Sequence, residues 1–122
     1  MAASRRTEVL EPDLEERLRR AIPEGTTVFT LSSRRPNRVD SIGPEGVVVT
    51  TERSAVADKS EMVPAWMLNH AWHELMRAGS LEARELVKTV KRSSAVCALL
   101  AELPGVTVAS TRPIRLEWAP RP

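Results

Sequence analysis

The sequence is short of several residue types, and each shortage excludes something. It has one cysteine, Cys97, so no internal disulfide and no cysteine-based zinc site can form. Tyrosine is absent, and the aromatic side chains are Phe29, Trp66, Trp72 and Trp118. A platform that tracks single-stranded nucleic acid needs several exposed rings on one surface. Four rings, at least two of them at core-like positions, do not supply it. No apolar run approaches the roughly 18–20 residues that span a bilayer. The N-terminal MAASRRTEVLEPD has two arginines and no apolar segment behind them, so it is not a secretory signal. The expected compartment is therefore cytoplasmic. There is no glycine-rich phosphate loop, since GPEG at 43–46 reads as a turn, and no cofactor is indicated.

What is present suits one soluble domain over residues 1–122, long enough to build a core without staples. The net charge is only +2, but it is unevenly placed. Residues 80–122 hold seven bases against four acids, and the rest of the chain is close to neutral. Fifteen of the 18 basic residues are arginine, which with the many Ala and Val reflects GC-rich codon usage and says nothing of function.

Residues 8–22 place Leu14, Leu18 and Ile22 at helical spacing, with Pro12 in the first turn and Pro23 and Gly25 as the stop. TTVFTL (26–31), RVDSI (38–42) and VVVTTE (47–52) predict a three-stranded antiparallel meander over 26–52. Residues 53–61 read as a polar connection. Pro64 opens a helix stopped by Gly79, and Ser80 is the expected N-cap of a short helix, LEARELV. KTVKR (88–92) fits either a turn or more helix. SSAVCALLAEL (93–103) predicts a helix with Val96, Leu99, Leu100 and Leu103 on one face, and VTVAS and PIRLEW predict a hairpin.

The order is α–βββ–ααα–ββ, an α+β chain. Residues 62–118, through the run GSLEARELV…RSSAVCALLAELPGV…RPIRLEW, resemble a winged helix: three helices followed by a hairpin wing. That resemblance implies a third helix as recognition helix, with basic residues at its start and on the wing touching DNA. The whole chain is loosely similar to DNA-reading modules of bacterial restriction or modified-DNA-dependent nucleases, in which an Arg-Pro turn in a β-rich segment precedes a similar helical run.

Three constellations fit that chemistry. Lys88, Lys91, Arg92, Ser93 and Ser94 lie around the start of the third helix, whose free N–H groups favour an anion. The alternative is that Ser93 is a plain N-cap and the cations are solvated. Beyond Ser94 the helix offers Cys97, Ala98, Ala101 and Glu102, none of which makes the two-pronged contact that specifies a base. Contact through its N-terminus, or packing of a small-residue face (Ala95, Ala98, Ala101) on the N-terminal helix or a partner protein, are equally open. Arg112 and Arg115 occupy the wing. Arg34, Arg35, Asn37 and Arg38 crowd the first turn of the meander, held by Pro36, where three guanidiniums meet no acid before Asp40. Exposed arginines are common, and Asn in a turn is usually there for its backbone.

Other chemistry finds little support. HAWHE (His70, His73, Glu74) lacks the second histidine of a zinc-protease motif, since position 77 is arginine. Cys97 sits inside an apolar helix with no evident oxyanion donors, and Asp40, Glu52 and Lys59 lack a nuclease spacing. The expectation is a binding module and not an enzyme. Its partners would be duplex DNA, unmodified or modified, and a protein partner or parent nuclease. The alternative is a protein-interaction or assembly domain that uses the same scaffold. A third reading is a ligand-responsive regulator with a pocket near Trp66 and Trp72.

Overall fold

The computed structural model describes residues 8–57 and 60–119. Helix α1 spans Pro12–Ala21, shorter than the 8–22 expected. Proline at the first helical position has no N–H to leave unpaired, and it fixes the start. Asp13 and Glu15 occupy the first turn and Arg19 and Arg20 the last, in accord with the helix dipole. Leu14 and Leu18 are fully buried. Residues 8–11 form an extended lead docked on the next long helix by buried Asn69. The Asn69 Oδ1 accepts the Glu11 N–H at 3.1 Å, while its Nδ2 donates to the Val9 carbonyl and the Glu8 carboxylate, both at 2.8 Å.

The meander is present as β1 (Thr27–Phe29), β2 (Pro36–Gly43) and β3 (Gly46–Thr51), all antiparallel. It gains a fourth strand, β4 (Glu61–Pro64), on the free edge of β3. A one-turn helix, α2 (Glu52–Val56), precedes it, opened by a reciprocal cap between Thr51 and Ser54. Helix α2 falls in the stretch that reads as polar connection, and β4 begins at its end and runs to Pro64. Val39, Val47, Val49 and Val63 point inward from the sheet.

Helix α3 (Ala65–Ala78) buries Leu68, Ala71, Trp72 and Leu75, and ends where Gly79 takes φ 77°, a left-handed conformation that glycine adopts without strain. Trp72 is core, as expected of one of the two helix tryptophans, with Trp118 edge-on at 5.3 Å and the Arg17 guanidinium 5.5 Å from its ring centre. Ser80 does not cap a helix. It begins a short strand, β5 (Ser80–Glu82), which pairs with the final strand, and α4 is only Ala83–Leu86. Residues 87–92 are a turn pinned by buried Val90, whose N–H donates to Leu86. Helix α5 (Ser93–Leu100) follows, then the hairpin β6 (Val106–Thr111) and β7 (Ile114–Trp118). The second sheet has the order β5-β7-β6. The architecture is α+β, two antiparallel sheets and their helices around one continuous apolar core. No helix among the described residues is long and apolar enough to cross a membrane.

Burial corrects the reading of α5. Cys97 and Ala98 are core residues, so Ala98 is not part of an open small-residue face. The helix is enclosed along most of its length, and only its first turn reaches the surface, at Ser94. Burial also pushes the Cys97 thiol up to about 12. Cys97 is expected to resist a thiol-specific reagent at pH 8 in the folded chain and to react at the normal rate in denaturant. Equal rates in both conditions would show the helix to be open.

Candidate nucleic-acid interface

The expected site residues separate into three groups once their partners are visible. Asn37 and Ser93 are interior. Asn37 is 6% exposed with its amide turned back to the Arg35 carbonyl, and Ser93 is 8% exposed at the first position of α5. Arg92, and not Ser93, is the N-cap residue, and no side chain caps the helix. Neither Asn37 nor Ser93 offers a surface contact.

Four cations are held by carboxylates of the same chain. Arg38 pairs with Asp40 at 2.8 Å, Lys88 with Glu85 at 3.2 Å, and Arg92 with Glu61 at 3.0 Å. Arg115 is gripped from two sides, by Glu82 at 2.8 Å and Glu117 at 3.3 Å. A cation already paired brings less net charge to a phosphate. Arg92 works as a tether from the start of α5 to β4. Glu61 accepts from Arg92 and from the Thr51 hydroxyl, and these bonds hold its carboxyl below the usual range. The Asp40 carboxyl is held below its ordinary value, first by the Thr50 hydroxyl; burial opposes this, and Arg38 and the Ser60 hydroxyl lower it further.

The sign of the pH effect follows. A carboxyl with a depressed folded pKa stabilises fully above its ordinary value, 4.5 for Glu61, and loses that contribution as pH falls through the folded value. Glu61→Gln is therefore expected to lower stability at pH 7, by no more than about 1 kcal/mol for so open a pair. The gap to the parent should close below pH 4.5. Urea unfolding across pH checks this, and a gap that persists into acid would rule the tether out.

The third group is open and converges. Ser32 from the β1–β2 turn, Ala83 and Arg84 from α4, Ser94 from α5, and Thr111 to Ile114 from the hairpin tip line one shallow concavity of about 520 Å³. The tip reaches the turn directly, with Arg112 Nη2 donating to the Ser32 carbonyl at 3.3 Å. The turn and the hairpin tip, 80 residues apart in sequence, thus share one rim. Arg34 and Arg35 project from the same turn and are exposed. Arg35, Arg84, Lys91 and Arg112 have no ion-pair partner among the described residues.

Arg84 is the residue that sequence reasoning missed. It sits in LEARELV, which looks electrically balanced. Its two acidic neighbours pair elsewhere, Glu82 with Arg115 and Glu85 with Lys88, and leave Arg84 unopposed.

Another cavity, of about 450 Å³ beside the end of α3, is lined by His70, Glu74, Arg77, Glu82 and Glu85 among others. Its three carboxylates make it unsuited to a phosphate. His73 contacts Glu11 instead of facing a metal, and no group of three or more His, Cys, Asp or Glu among the described residues could hold a metal ion. No family model, no curated protein and no solved structure matches this chain.

Proposed function

We propose that this chain is a duplex-DNA-binding module that receives the phosphate backbone at the concavity between the β1–β2 turn, the start of α5 and the hairpin tip. The single observation that carries this reading is the convergence of Arg84, Arg112, Ser94 and Ser32 on one open surface. Unpaired guanidiniums, a hydroxyl and the first turn of a helix are the groups that commonly fix a protein on a duplex. The winged-helix order supports the reading: α3, β5, α4, α5 and then the β6–β7 hairpin.

The contact differs from the usual recognition helix in one respect. The body of α5 is buried, so only its first turn is available to the nucleic acid. Arg84, Arg112, Arg34, Arg35 and Lys91 supply charge, and Ser94 supplies a hydroxyl. Such contacts position a duplex without reading its sequence. The resemblance to restriction-associated modules gives the setting, a reader in bacterial defence or regulation.

A fluorescence-anisotropy titration with a labelled duplex at low and moderate salt tests the proposal. Affinity should fall steeply with salt, as counterion release requires, and Arg112→Ala should flatten the log–log slope by about one unit. Absence of binding at low salt would overturn the proposal and favour a protein partner on the same scaffold.

A further inference from the structure

We infer that Phe29, together with Arg34, forms a seat for one unpaired base of a DNA duplex bound at the neighbouring concavity. The inference rests on the DNA reading above and adds the class of DNA preferred. Phe29 is the one phenylalanine of the chain, and it is 43% exposed on β1, at the edge of the first sheet. Its two neighbours fix its direction: the strand alternates exposed, buried, exposed, with Val28 in the core. The guanidinium of Arg34 lies over the ring, 5.1 Å from its centre. Ring and guanidinium together offer flat π surface, the kind on which nucleobases stack.

The backbone is bent to make this pair. Arg34 has φ 56°, the only positive value at a non-glycine among the described residues. An L side chain adopts that conformation only when its surroundings enforce it. Here Thr30 enforces it. Its N–H donates to the Arg35 carbonyl, its carbonyl accepts the Arg34 N–H, and its Oγ1 accepts the Arg35 N–H, each at 2.9 Å. The Ser33 hydroxyl closes the set at 3.0 Å from the Thr30 Oγ1. A turn meant only to reverse the chain would be relieved by glycine at position 34. Arginine at that position instead places a guanidinium on an exposed ring, in the same turn whose Ser32 lines the concavity.

One ring takes one base. The other rings do not extend the stack into a track, because Trp72 is buried with Trp118 on its edge and Trp66 packs against the core. The matching ligand is a duplex with a single base outside the helical stack, where the cost of unstacking is already met.

The test compares a fully paired duplex with the same duplex carrying one bulged nucleotide, by competition against a labelled probe. The parent chain should prefer the bulged duplex by about tenfold, within the range of one base–aromatic stack. Phe29→Ala, at an exposed position, should lose the preference and keep its affinity for the paired duplex within about twofold. Arg34→Gly, which suits the left-handed backbone, should fold normally and weaken the preference. Equal affinity of the parent for both duplexes, or a preference that survives Phe29→Ala, would overturn the inference while leaving duplex binding intact. Failure to bind either duplex would overturn both.

Discussion

Reversing the charge at the two arginines of the concavity, Arg84→Glu with Arg112→Glu, should weaken duplex binding by at least about 100-fold at moderate salt. Each arginine is exposed, neither has a carboxylate partner among the described residues, and the two line the same surface. A charge-assisted contact to phosphate contributes about 1.5–3 kcal/mol, so two of them amount to about two to four orders of magnitude. The replacement glutamates would add repulsion. The fold should be untouched, since both side chains are at the surface. The informative control is Arg115→Glu with Lys88→Glu, which changes net charge equally. Those cations are held by Glu82, Glu117 and Glu85, so they should matter far less to DNA and somewhat more to stability. Equal loss from the two pairs would show that overall charge, and not this surface, drives binding. Anisotropy titrations of the four-residue set decide between these outcomes.

The largest effect on stability is expected at the turn between β2 and β3. A Cβ added to Gly46 would sit 2.1 Å from the Val63 carbonyl oxygen and 3.0 Å from the Ala65 nitrogen, both backbone atoms. Its φ of 142° is strained for any side chain. Relief would require β4 to move off β3 and the start of α3 to move with it, because Ala65 N–H donates to the Glu45 carbonyl at 2.8 Å. The same turn holds the N-terminal lead, through Leu10 N–H to the Pro44 carbonyl at 2.8 Å. Gly46→Ala should therefore cost on the order of 3 kcal/mol or more. That corresponds to a fall in Tm of about 10 °C for a domain of this size. Gly43, at the other end of the same turn, would place a Cβ with nothing within 4 Å. Gly43→Ala should change stability by less than about 1 kcal/mol. Calorimetry on the two variants checks the contrast, and a similar small shift for both would mean that β4 does not pack on β3 as described.

The elements that were legible in the sequence are those with enough residues to show a period. Helices α1 and α3 and strands β2, β3 and β7 each bury a repeating set of side chains, so burial leaves a pattern in the sequence. Strand β4 has four residues and one core side chain, Val63, and its register comes from the open edge of β3. Strand β5 has three, and its pairing with β7 drew Ser80 away from the capping role its type suggests. Short elements like these are specified by their neighbours more than by their own composition.

The candidate site divides in the same way. The basic residues can be counted from the sequence, but their availability cannot. Glu61 meets Arg92 across 31 residues and Glu82 meets Arg115 across 33, and both pairings depend on the tertiary fold. The pairings of Glu82 with Arg115 and of Glu85 with Lys88 leave Arg84 unopposed. Ser32 of the β1–β2 turn, Ser94 at the start of α5 and the hairpin tip line one surface, a meeting that only the tertiary fold creates. Asn37, grouped with the basic turn on sequence alone, is buried in the fold.

The central claim is about place: that duplex DNA meets the surface where the β1–β2 turn, α4, the start of α5 and the hairpin tip converge. The measurement that tests it most directly is a titration of the isotopically labelled chain with a short duplex, followed amide by amide by NMR. The account predicts shifts concentrated at residues 29–35, 83–84, 91–95 and 110–114, with the carboxylate-lined face around Glu74 and Glu85 unmoved. Shifts centred on that acidic face or on α1, or no shifts at low salt, would contradict it.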